Sequence, residues 1–135
     1  MSDSHAPIPT DAELALLRVL WAKGPSTVRE VHNHIDDTGY TTVLKQLQIM
    51  RDKGLVVRDE SSRAHVYKTA VQQDETERKL VDDLLDRAFG GSAQRLVMRA
   101  LSGNRVSSDE LGAIRDLLDS INDDPISDDR ADADD

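Results

Sequence analysis

Residues 39–54 read GYTTVLKQLQIMRDKG, and the stretch has two unlike faces. Val43, Leu47 and Met50 recur at intervals of four and three, the period of a helical stripe facing a core. Thr41, Lys45, Gln48 and Asp52 fall on the other side. That second face carries short or hydrogen-bonding side chains instead of the Lys/Glu mixture of a merely solvated helix. A helix fits the major groove of B-DNA, with short polar groups for close approach and longer donors one turn on. Thr41 and Thr42 suit phosphates, Lys45 suits guanine or phosphate, and Gln48 suits adenine. Taken singly, each has a plainer reading: a Thr-rich helix start is often a cap, and a lone Lys or Gln is usually solvated. Ile49 lies off both faces, and Asp52 is expected outside any phosphate contact.

Working towards the N-terminus, Thr10-Asp11-Ala12-Glu13 has the form of a capping box, and Leu17, Leu20 and Trp21 follow at helical spacing. Gly24-Pro25 ends that helix. Thr27-Val28-Arg29-Glu30 repeats the box ahead of Val28, Val31 and Ile35, and Asp37-Thr38-Gly39 makes a turn. Beyond Gly54 the period changes. Leu55–Arg58 and His65–Thr69 are rich in β-branched and aromatic residues, with a polar turn, Glu60-Ser61-Ser62-Arg63, between them. Three short helices followed by a hairpin predict a winged helix-turn-helix over residues 10–72, with Arg63 at the wing tip, placed to reach DNA backbone or minor groove.

Residues 73–121 read as helix throughout. Leu80, Val81, Leu84, Leu85, Ala88 and Phe89 form one stripe, and Gly90-Gly91 breaks it. Leu96, Val97 and Leu101 form a second stripe, and Leu111, Ile114, Leu118 and Ile121 a third. Three short helices enclose little apolar area by themselves, so a helical dimerisation region is expected, covered by a second copy of the chain. Residues 1–9, with two prolines, read as a mobile leader, and 122–135, with seven Asp and one Arg, as a disordered acidic tail. The fold class is therefore mainly α with a small β-hairpin wing.

The formal charge of −9 misleads until it is divided. Residues 1–73 hold nine Lys/Arg and nine Asp/Glu, whereas 74–135 hold eight against seventeen, which accounts for the whole excess. Residues 41–68 have six basic side chains against three acidic ones, so an acidic total does not exclude a nucleic-acid partner. No apolar run approaches the roughly 20 residues of a membrane span, and the N-terminus lacks a signal-peptide layout; a soluble cytoplasmic protein is expected. The chain has no Cys, which removes disulfides and thiolate chemistry. His32 and His34 form an H-x-H pair, but residues two apart point to different helix faces, and neither a metal site nor a cofactor is expected. No phosphate loop or nucleophile elbow is visible, so the chain does not read as an enzyme.

ELALLRVLWAKGPSTVREV, YTTVLKQLQIMRDKGLVVRDE and RAHVY resemble the penicillinase-repressor (BlaI/MecI/CopY-type) family of transcriptional regulators, with a likeness running from about Thr10 to Ile121. The resemblance implies a homodimeric repressor on a palindromic double-stranded DNA operator. It gives the recognition-helix role to Thr41, Thr42, Lys45 and Gln48 and the wing role to Arg63. One branch carries a C-terminal Cys-x-Cys metal site that this Cys-free chain cannot form. Another is inactivated at an Asn-Phe bond on a signal from a membrane sensor peptidase; Arg99-Ala100 stands there instead. An alternative from another class is an acidic winged-helix module that binds protein, such as an RNA-polymerase-associated factor.

Overall fold

The computed structural model describes residues 7–123, so the first six residues of the expected leader and most of the acidic tail lie outside the described residues. The chain divides into two compact units, Met1–Leu84 and Leu85–Asp135.

In the first unit, Thr10 caps α1 (Asp11–Lys23) through a complete box: the Thr10 hydroxyl accepts from the Glu13 N–H at 3.2 Å, and the Glu13 carboxylate accepts from the Thr10 N–H at 2.9 Å. Thr27 and Glu30 repeat the arrangement at the start of α2 (Val28–His32). This helix is shorter than the stripe ending at Ile35 implies. It stops at His32, and His34 and Ile35 follow in turn bonds to the Val31 and His32 carbonyls. Asp37 takes a left-handed φ of 61° in the connection to α3 (Tyr40–Lys53). Gly54 ends α3 at φ 86°, and its N–H and that of Leu55 reach back to the Arg51 and Met50 carbonyls.

The wing pairs β2 (Val56–Asp59) with β3 (Val66–Thr69), in register from Val56↔Thr69 to Asp59↔Val66. A third strand, absent from the sequence reading, lies on the far side of β3: β1 (Ser26–Thr27) pairs Ser26 with Tyr67 and Thr27 with Val66. The architecture is mainly helical with a small antiparallel sheet. Its core gathers Leu16, Leu17 and Leu20 of α1, Val28 and Val31 of α2, and Val43, Leu47 and Met50 of α3, closed by Leu55, Val56, Tyr67 and Val71. The stripe Val43–Leu47–Met50 is entirely buried, which fixes the opposite face of α3 outward. Pro9, assigned to the mobile leader, is buried. Trp21 donates its indole N–H to the Val71 carbonyl at 3.1 Å, tying α1 to the segment that leaves the wing.

That segment leads into α4 (Gln73–Ala88), whose Thr76 is buried within the first unit. Gly90 and Gly91 break the helix at φ 58° and 83°. The second unit contains α5 (Ala93–Ser102) and α6 (Ser108–Asp123); Ser92 and Ser107 cap them by accepting from the Arg95 and Glu110 N–H groups. Helix α6 runs two residues into the expected tail. No residue from Glu77 to Asn122 is buried. Among the described residues no helix is long and apolar enough to cross a membrane.

Candidate nucleic-acid interface

The outward face of α3 begins at a bare helix end. Its N-cap is Gly39, which offers no side-chain cap, so the first N–H groups of the helix are not satisfied by the protein in this way. Thr41 and Thr42, the second and third helical residues, are exposed, and neither hydroxyl caps the helix. That corrects the plainer reading of the Thr pair. One turn further, Lys45 is exposed, and Gln48 follows on the same side; Asp52 is exposed at the far end. Among the described residues Lys45 has no carboxylate partner. Ile49 is also exposed, an apolar group beside the polar row.

Beside this face lies a cleft of about 670 Å³ between the start of α2, α3 and the hairpin. Gln48 and Arg63, two of the five residues singled out from the sequence, both line it; Thr41, Thr42 and Lys45 do not. The cleft adds residues that sequence reasoning missed: Arg29, Tyr40, Arg58 and His65. The Arg29 guanidinium stands over the Tyr40 ring at 5.9 Å, and the His32 ring meets Tyr40 edge-on at 6.0 Å. Arg58 donates from Nε to the Glu60 carboxylate at 2.8 Å, with a second contact from Nη2, and the Arg51 guanidinium reaches the same oxygen at 3.9 Å. These cations, Arg58 foremost, hold the Glu60 carboxyl below its ordinary range; contact with Tyr67 and Glu60 raises Arg58 in turn. Asp59 is lowered chiefly by the Ser61 backbone N–H, which it accepts at 2.9 Å as the hairpin turns.

A helix with an outward row of donors, an uncapped start and a neighbouring cationic wing makes this a winged-helix protein of the DNA-binding kind. Comparison with known proteins carries the assignment further. The model of the penicillinase repressor family matches residues 9–120. The transcriptional regulator BlaI of Mycobacterium tuberculosis (strain CDC 1551 / Oshkosh) is 36% identical over 113 residues, which cover 80% of this chain and 80% of that one. The penicillinase repressor of Staphylococcus aureus is 21% identical over 116 residues, 82% of this chain and 90% of that one. Among solved structures, the Bacillus licheniformis BlaI monomeric form in complex with the blaP half-operator has a TM-score of 0.44 at 24% identity, covering 51% of this chain and 90% of that one. The chain belongs to the penicillinase repressor family.

Proposed function

We propose that the chain is a DNA-binding transcriptional repressor that acts as a homodimer on a palindromic operator, reading bases with the outward face of α3. The observation that carries this is the two-sidedness of α3. One stripe is fully buried, while Thr41, Thr42, Lys45 and Gln48 all stand exposed on a helix whose start is left uncapped. Uncapped N–H groups and hydroxyls at a helix start favour phosphate, and longer donors one turn on reach base edges. Arg63 supplies a wing contact beside them. The partner copy is argued from the second unit, none of whose described apolar side chains is buried. A membrane sensor peptidase is a further partner of this reading; Arg99-Ala100, the bond to which the family resemblance points, lies in exposed helix.

Selecting bound fragments from the host genome tests the proposal, because it returns both the operator and the genes beside it. Two half-sites are expected about one helical turn apart, near 10 base pairs centre to centre, or a multiple of it. On that operator, Lys45→Ala should lower the salt slope by about one unit for all sequences if its partner is phosphate. Gln48→Ala should cost about 1–3 kcal/mol on the operator and relax preference at one base position per half-site. If both folded variants bind like the parent, α3 is not the reader. Capture of RNA polymerase with no duplex binding would support the protein-interaction alternative.

A further inference from the structure

We propose that the cleft between α2, α3 and the wing is a second DNA-binding element, gripping a sugar–phosphate strand through Arg29 and Arg58, with Glu60 as a built-in competitor for that strand. The inference rests on the proposed function and extends it to residues outside the α3 face.

Three observations converge. First, Gln48 belongs both to the outward row of α3 and to the wall of the cleft, so a duplex whose base edges meet Gln48 runs one strand along it. Second, Arg29 is positioned but unspent. Among the described residues it has no carboxylate partner, and its guanidinium carbon lies over the Tyr40 ring at 5.9 Å from the centroid. A cation–π contact leaves the guanidinium N–H donors for a phosphate. Third, Arg58 is already in a fork contact with an anion: Glu60 takes Nε at 2.8 Å and also Nη2, while Arg51 approaches the same oxygen. A carboxylate so placed occupies the position of a phosphate oxygen. Glu60 is about half exposed while Arg58 is 19% exposed, so the Glu60 side of the contact is the one open to exchange with water or a phosphate. Glu60 thereby withholds Arg58 from any passing duplex and yields it only where the α3 contacts have already set the register.

The salt dependence of duplex binding by the full chain decides the matter, measured on random duplex and on the selected operator between about 50 and 200 mM salt. Arg29→Gln should reduce the magnitude of the slope by about 0.9, so that about 3.5-fold less affinity is lost across that range, and Arg29→Lys should return the slope. Glu60→Gln should steepen the slope by about as much, with tighter binding at low salt, and should raise affinity for random duplex more than for the operator. In an Arg58→Gln background, Glu60→Gln should change nothing, because the withheld cation is gone. Should Arg29→Gln and Glu60→Gln keep the parent slope while Lys45→Ala lowers it, the cleft is idle and only the α3 reading stands. An equal steepening with and without Arg58 would make Glu60 a general repulsive charge and overturn its role as competitor. A parent chain that binds no duplex would remove the proposed function itself. Melting curves on each variant confirm that the slopes compare folded proteins; Arg29 and Glu60 are exposed, and because the Arg58 side chain is only 19% exposed its variant is compared after its own melt.

Discussion

At Glu13 a single carboxylate does two jobs. One oxygen caps α1 through the Thr10 N–H, and the other takes the Lys53 ammonium at 2.6 Å, joining the start of α1 to the end of α3 across 40 residues of sequence. Glu13 is 2% exposed, whereas the Lys53 side chain is 37% exposed. Burial pushes the carboxyl up, but the Lys53 and Thr10 hydrogen bonds outweigh it and hold it below the ordinary range. A carboxyl lowered by folding contributes stability that is full above its unfolded value, about 4.3, and is lost as pH falls through the folded value. Glu13→Gln should therefore cost about 1–2 kcal/mol near neutral pH, with the difference from the parent shrinking in acid. Lys53→Met should cost more, about 3 kcal/mol, because it strands a buried carboxylate instead of freeing a half-solvated ammonium. Chemical denaturation at pH 7 and pH 4 checks both; a pH-independent difference for Glu13→Gln would contradict the assignment. Glu13 was legible as a cap because its partner is three residues away. Its ion pair was not, because nothing local links it to Lys53.

On the scale of the element, the start of α3 goes without a side-chain cap at Gly39. Gly39 has an extended φ of −76° and open space around the position of a Cβ, so a side chain fits there without strain. Gly39→Asp should cap the helix and stabilise the protein by a few tenths of a kcal/mol, since Asp exceeds Gly modestly at this position. It should also weaken DNA binding, most at low salt, by placing a negative charge where phosphate is proposed to approach. Thermal melts read with a salt series test the pair of effects; a gain in both stability and affinity would contradict the reading. Elements with a clear period or a box were legible: both capping boxes, the buried stripe of α3, the Gly54 stop and the two long wing strands all follow from local pattern. Strand β1 was not, because two residues after Gly24-Pro25 show no period and exist as a strand only through β3. The cleft was hidden for a related reason. Arg29, Tyr40 and Arg58 come from three separate elements, and only folding brings them round one space.

For the whole molecule, the contrast between the units sets the expectation. The first has a closed core, whereas in the second Met98 is 59%, Leu117 57% and Leu118 53% exposed. Apolar faces of this kind are covered most economically by the same faces of another copy, and stability then depends on protomer concentration. Sedimentation should show a dimer for residues 1–121 and a monomer for 1–72. Leu118→Asp should weaken the dimer by several kcal/mol if that side chain is buried in it. A full-strength dimer of 1–72 would move the interface to the first unit. The bond from Trp21 to Val71 adds an optical consequence. Trp21 is the chain's single tryptophan, and both tyrosines, Tyr40 and Tyr67, also lie in the first unit; Phe89 is the lone aromatic in the second. Indole emission therefore reports the first unit at its joint with α4, while far-ultraviolet ellipticity sums the helices of both. On dilution, ellipticity should fall before the emission shifts, giving the loss of the partner and the unfolding of the reader separate spectra.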